Sequence, residues 1–304
     1  MRIAGVIVAN LTPMDATGQA LDLAAAQRLA EFLVGQRVGG LFVNGTTGEG
    51  PLLSTDERKR HAEAVIAAVG GRIPVIVHVG AITTAESIDL AQHAQAAGAD
   101  AIACVTPYFF GYSERELEAF YRRLAQAVPA LDVYLYSIPS RAGNAISPAL
   151  AERLSNEANI VGIKDSSGSI GHLLELLAIP NLVVLPGADL LAIPALEAGA
   201  AGMVSGPAGI FPEPYVALWE AWQARDYAAV IAWQQVIRII SRAVQHGARI
   251  DLLKALADLR LPGTGSVRAP LSRPDDDELR ALRAKLYTLL ATTPLPKPSY
   301  EWLS

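Results

Sequence analysis

Cysteine is almost absent from this 304-residue chain: Cys104 is the only one. No disulfide can form within the chain, so a reducing, cytoplasmic setting is the expectation. Basic runs are missing and the formal net charge is -5, which argues against nucleic acid as the main partner. The N-terminal apolar stretch Ile3 to Asn10 is too short to span a membrane, and no signal-peptide cleavage pattern precedes it. The histidines, His61, His78, His93, His172 and His246, show no close ligand spacing and have no cysteine partner, so no metal site is expected. Also lacking are a glycine-rich dinucleotide fingerprint after the first apolar run, a Gly-x-Ser-x-Gly elbow and a Walker-type loop.

What is present is core-forming material. Hydrophobic residues make up 51% of the chain and charged residues 18%, enough to bury a sizeable interior and too apolar for disorder. Eight short, near-continuously apolar runs are spaced along it: Ile3 to Asn10, Gly39 to Asn44, Ile73 to Val79, Ala101 to Thr106, Val133 to Ser137, Ile160 to Lys164, Leu182 to Pro186 and Ala201 to Ser205. Amphipathic, helix-like stretches lie between them, with start signals at Ser54-Thr55-Asp56-Glu57 and Ser147-Pro148 and stop signals at Gly98 and Gly199. Strands apolar on both faces alternating with helices predict a parallel sheet covered by helices. Eight is the number that closes a (β/α)8 TIM barrel. We expect residues 1–222 to form that barrel and residues 223–304 to form an additional C-terminal helical region packed on it. A doubly wound open sheet is the alternative.

In such a barrel the site lies at the C-terminal ends of the strands. Lys164 stands out there. The chain has only five lysines, Lys59, Lys164, Lys254, Lys285 and Lys297, and Lys164 alone ends a strand-like run. Desolvation disfavours a charged ammonium, and the neutral amine is the form that attacks carbonyls. The segment alone leaves two readings open: a Schiff-base lysine, or one that snorkels to the surface past its strand. The second run leads into Asn44-Gly45-Thr46-Thr47-Gly48-Glu49-Gly50, which is able to turn backbone N–H groups toward an anion or to be an ordinary turn. Tyr136 ends the fifth run, where its phenol either shuttles protons or packs in the core. Arg141 follows, as a carboxylate partner or a solvated arginine. The seventh and eighth runs end near Gly187 and Val204.

Taken together, Gly45-Thr46-Thr47-Gly48-Glu49, the segment from Tyr136 through Pro139 to Gly143, and Gly162-Ile163-Lys164-Asp165 resemble the dihydrodipicolinate synthase/N-acetylneuraminate lyase family. The resemblance covers essentially the whole chain. It implies a class I, Schiff-base, pyruvate-dependent aldolase: a lyase with no metal or organic cofactor, usually a homotetramer, whose partners are pyruvate and an aldehyde. Carried onto this sequence, it makes Lys164 the imine-forming residue. The Thr46 and Thr47 N–H groups and a hydroxyl hold the pyruvate carboxylate, and Tyr136 relays protons with Thr47 as its partner. Gly48, Arg141, Gly187 and Val204 complete the substrate-binding set.

Within the family, the Thr46-Thr47 pair and Arg141 resemble 4-hydroxy-tetrahydrodipicolinate synthases, which join pyruvate to aspartate semialdehyde. Phe109 departs from them, standing where a second relay tyrosine usually reaches across a subunit interface, although Tyr108 is adjacent. Ser137 and Ala142 replace the usual Asn and Thr. Gly50, Thr55 and Ile82 stand where regulated members carry polar lysine-feedback residues. The Gly48-x-Gly50-Pro51 pattern and Gly187-Ala188-Asp189-Leu190-Leu191 are similar to 2-keto-3-deoxygluconate-type aldolases. N-acetylneuraminate lyase fits less well, because Thr46 stands where serine is usual. A keto-acid-binding protein without activity is the non-enzymatic alternative, disfavoured by the full set of Lys164, Tyr136, Thr46 and Thr47.

Overall fold

The eight runs form eight parallel strands: β1 Gly5–Ala9, β2 Gly40–Val43, β3 Val75–His78, β4 Ala101–Val105, β5 Asp132–Ser137, β6 Ile160–Asp165, β7 Val183–Pro186 and β8 Gly202–Ser205. The computed structural model describes residues 3–291 and 300–303. The strands pair in the order β7-β6-β5-β4-β3-β2-β1-β8. The remaining seam is bridged where the Ala201 N–H donates to the Val184 carbonyl at 3.3 Å. The result is a nearly closed (β/α)8 barrel with helices between the strands, as the count of apolar runs predicts.

The helices are α1 Leu23–Gly35, α2 Thr55–Val69, α3 Thr84–Ala96, α4 Glu114–Ala127, α5 Pro139–Ala142, α6 Pro148–Leu154, α7 Ile170–Leu177, α8 Ala192–Glu197, α9 Pro212–Gln223, α10 Tyr227–Ala243, α11 Ile250–Arg260 and α12 Asp276–Ala291. Helix α2 begins on a full capping box, in which Ser54 and Glu57 satisfy each other's backbone N–H groups. The helix-like stretch between β7 and β8 is broken into a 3-10 turn, Asp189–Leu191, followed by α8. Pro194 explains the break: it has no N–H to donate and is tolerated only in a first turn. Helix α5 was not anticipated, because four residues carry no readable helical period.

Alternation along each strand sets what faces the barrel interior. On β1, Val6 and Val8 join the layer beneath the helices, while Ile7 and Ala9 join the inner cluster with Phe42, Ile76, Tyr134, Tyr136 and Val204. On β6, Ile163 packs outward, so Gly162 and Lys164 face in. A Cβ on Gly162 would lie 2.4 Å from the Tyr134 ring, so glycine there gives that ring its room.

The C-terminal helices are tied to the strand ends that carry the predicted site. Lys254 on α11 forms a fully buried ion pair with Glu49, Nζ to Oε1 2.5 Å. The Arg268 N–H donates to Glu49 Oε2 at 2.8 Å, and Gln234 on α10 donates to the Asp189 carbonyl at 3.0 Å. None of the described helices is long and apolar enough to cross a membrane.

Candidate active site

Strand register brings the two reactive side chains together. Tyr136 on β5 and Lys164 on β6 are direct register partners, so both side chains leave the sheet on the inner face at the same level. The Lys164 ammonium position is 4.1 Å from the centroids of both the Phe42 and Tyr136 rings, and the residue is 6% exposed. Among the described residues no carboxylate pairs with it. An amine held between aromatic faces rather than locked in an ion pair remains available to attack a carbonyl.

The loop after β2 supplies the next layer. Asn44 and Glu49 both adopt left-handed backbone, φ 61° and 57°, and the turn closes with Glu49 N–H donating to Thr46 O and Gly50 N–H to Gly45 O. Within it the two threonines diverge. Thr46 Oγ1 lies 3.2 Å from the Tyr136 hydroxyl. Thr47 instead packs over the end of β8, its Oγ1 2.9 Å from where a Gly206 Cβ would be. The hydroxyl that meets Tyr136 is thus that of Thr46, and the Thr47 hydroxyl, expected beside it, is turned away. Consecutive side chains in a tight turn point apart, and spacing alone does not say which one meets the phenol. Among the described residues the Thr46 and Thr47 N–H groups have no acceptor, which leaves two donors for an anion beside Lys164.

These residues line one cavity of about 570 Å³, which also takes in Arg141, Ser166, Gly187 and Val204. Of the predicted set only Gly48 is off its wall. It sits behind the loop, where a Cβ would lie 2.9 Å from the Asn10 carbonyl oxygen, and its own carbonyl accepts from Thr12 Oγ1 at 2.6 Å. Its place in the site is to let the loop approach β1. Arg141, on α5, is exposed at the rim and donates to the Ala248 carbonyl at 3.4 Å.

Other groups near the cavity are structural. The His78 ring packs edge-on to Tyr136, with centroids 5.8 Å apart. Its Nδ1–H donates to the Asn44 carbonyl at 3.1 Å and its Nε2 accepts from the Val105 N–H at 3.3 Å. Burial, then the charges of Arg58 and Lys164, hold it well below the usual imidazole range, so it stays neutral. Phe109 is 83% exposed with φ 81° and stacks on Phe110, away from the cavity. Tyr108 lines an adjoining space of about 290 Å³ together with Thr46, His78 and Arg141.

Sequence reasoning missed the wall contributed by Gln245 to Ala248 and by Ser140 and Ser166. Parity would have found Phe42, which alternates inward on β2. Nothing in the sequence connects the residues after α10 to strand ends so distant in the chain.

The profile of the dihydrodipicolinate synthetase family matches residues 2–289. This chain belongs to that family. It is 37% identical over 286 residues to an uncharacterized DapA-like lyase of Halobacterium salinarum, covering 94% of this chain and 93% of that one. It is also 37% identical over 289 residues to a 4-hydroxy-tetrahydrodipicolinate synthase of a Synechococcus species, covering 94% and 95%. Among solved structures, YagE, a prophage protein of E. coli K12 in complex with pyruvate, superposes with a TM-score of 0.89 at 32% identity, covering 97% of this chain and 100% of that one. The Bacillus anthracis dihydrodipicolinate synthase superposes with a TM-score of 0.90 at 28% identity, covering 98% and 100%. Like the members of its family, this chain is a lyase.

Proposed function

We propose that this chain joins pyruvate to an aldehyde that carries a carboxylate, in a 4-hydroxy-tetrahydrodipicolinate synthase-like condensation with aspartate semialdehyde. The observation that carries the reading is the inner-face pairing of Lys164 with Tyr136, whose hydroxyl meets Thr46 beside two free N–H donors. Pyruvate binds with its carboxylate on the Thr46 and Thr47 N–H groups. The Lys164 amine attacks the keto carbon, Tyr136 passes a proton to the departing oxygen, and water leaves as the imine forms. The imine draws electrons from the methyl carbon, whose proton returns to the Tyr136 oxygen as the enamine forms. That carbon bonds to the aldehyde carbon, whose oxygen takes a proton from the Tyr136–Thr46 pair, and addition of water to the imine then frees the product and the Lys164 amine. Arg141 at the rim takes the aldehyde's carboxylate. Relatives named 4-hydroxy-tetrahydrodipicolinate synthase support this choice.

A second reading, a 2-keto-3-deoxygluconate-type aldolase, is favoured by Phe109, which has no hydroxyl to add to the relay. Rates with pyruvate and either aspartate semialdehyde or D-glyceraldehyde separate the two. A clear preference for the semialdehyde supports the synthase reading, and a preference for glyceraldehyde overturns it in favour of the sugar-acid aldolase. We also assign the exposed Phe109–Phe110 pair to a contact between copies of the chain in a cytoplasmic homotetramer. Residues 223–291 act in this reading as one helical unit on the barrel, and positions 292–299 and 304 of the expected C-terminal region lie outside the described residues. Sedimentation of the wild type against Phe109→Asp tests the assembly, which is overturned if the wild type runs as a monomer.

A further inference from the structure

The far wall of the cavity holds a hydrogen-bonded chain that the condensation does not use. Asp189, on the 3-10 turn after β7, is buried and accepts from the Tyr215 hydroxyl at 2.9 Å. The hydroxyls of Ser205 and Ser241 lie beside the same carboxylate and favour its charged form. Ser241, itself fully buried on α10, lies 3.2 Å from His246 Nδ1. Whichever of the two atoms donates, this contact holds the imidazole ring through Nδ1. His246 Nε2 has no protein partner among the described residues, and His246 lines the cavity that holds Lys164. It sits in a left-handed run, with φ 49° at Gln245, 57° at His246 and 76° at Gly247. Such backbone persists where its surroundings fix it, here at a cavity wall.

We propose that His246 is a specificity-determining residue that presents a fixed hydrogen-bonding nitrogen, Nε2, to an amino or hydroxyl group on the aldehyde partner. The proposal rests on the aldolase reading above. Arg141 and His246 line the same cavity, and Arg141 is tied to Ala248, two residues from His246. The wall thus offers a cation for an anionic group and, near it, a ring nitrogen for a polar group. The partner it fits is an aldehyde bearing an amino or hydroxyl group as well as the group Arg141 binds. Asp189 and Ser241 are positioning residues, because they act through the imidazole.

The test compares kcat/KM for matched aldehydes with and without the donor. Aspartate semialdehyde against succinate semialdehyde reads the amino group, and D-glyceraldehyde against 3-hydroxypropanal reads the hydroxyl. Wild type should prefer the donor-bearing member of one pair, and His246→Leu should cut that preference by about tenfold or more, the order expected when a buried polar partner is lost. His246→Asn, which keeps an acceptor and tolerates left-handed backbone, should retain most of it, and this holds the test open if the leucine variant folds poorly. Ser241→Ala should lower the preference while leaving KM for pyruvate unchanged. A preference within twofold of wild type in His246→Leu, or no preference in wild type, overturns the proposal. Borohydride trapping of pyruvate on Lys164 is run on the same samples. Loss of trapping in wild type would overturn the aldolase reading, whereas intact trapping with unchanged preference would overturn only the role of His246.

Discussion

Glu49 closes the turn after β2 and also meets Lys254, so replacing it with glutamine should be felt at both places. Both side chains are 0% exposed and the ion pair is 2.5 Å long. Burial pushes the Lys254 ammonium below its ordinary range, and the Glu49 carboxylate opposes that push. Glu49→Gln keeps the volume and leaves the left-handed backbone unchanged in kind, but removes the charge. The ammonium then has no counter-charge, and the amide NH2 must face one of the two donors, Lys254 Nζ or the Arg268 N–H, that the carboxylate oxygens served. Breaking one side of a buried pair costs about 3–5 kcal/mol. At about 2 °C per kcal/mol for a chain of this size, Tm should fall by about 6–10 °C. Calorimetry on wild type, Glu49→Gln, Lys254→Met and the double variant measures the coupling. The double variant should recover part of the loss, because the orphaned charge is gone. A Tm within about 1 °C of wild type for Glu49→Gln, or strictly additive losses in the double variant, would refute the reasoning.

Tyr136→Phe removes the hydroxyl that meets Thr46. It should fold normally and lose about 10²–10⁴-fold in kcat, and near-normal turnover would take Tyr136 out of the relay. Gly48→Ala forces a Cβ to 2.9 Å from the Asn10 carbonyl oxygen, so the loop must shift. KM for pyruvate should rise more than KM for the aldehyde, and equal changes would contradict the loop's assigned role. His61 is fully buried with Nδ1 2.7 Å from Asn44 Oδ1, and burial, aided by the Lys254 charge, depresses it to about 3. An unfolded histidine titrates near about 6.5, so between those values the unfolded chain binds more protons and stability rises with pH. Its contribution is complete above about 6.5 and is lost toward about 3, at about 1.4 kcal/mol per pH unit. Denaturant melts across that range should show a shallower acid slope for His61→Gln than for wild type, and parallel slopes would contradict the assignment.

The barrel was legible because fully covered parallel strands are apolar on both faces, so eight runs could be counted directly. The position of Lys164 at the end of β6 was legible for a related reason, since it closes one of those apolar runs. What escaped the sequence depends on rotation within turns and on contacts between distant segments. Thr46 and Thr47 are neighbours of equal chemistry, and only the left-handed kinks at Asn44 and Glu49 decide which hydroxyl reaches Tyr136. His246 lies 82 residues after Lys164 in the chain, in a helical region with no motif, yet it lines the same cavity. The Pro194 break in the Asp189 to Ala198 stretch was readable, because proline cannot donate in a helix interior.

The central claim is that Lys164 forms an imine with pyruvate, and borohydride trapping followed by intact-mass measurement and peptide mapping tests it most directly. The account predicts one reduced pyruvate adduct per chain, mapped to Lys164 and absent from Lys164→Ala. An unchanged mass, or an adduct that persists in Lys164→Ala, would contradict it.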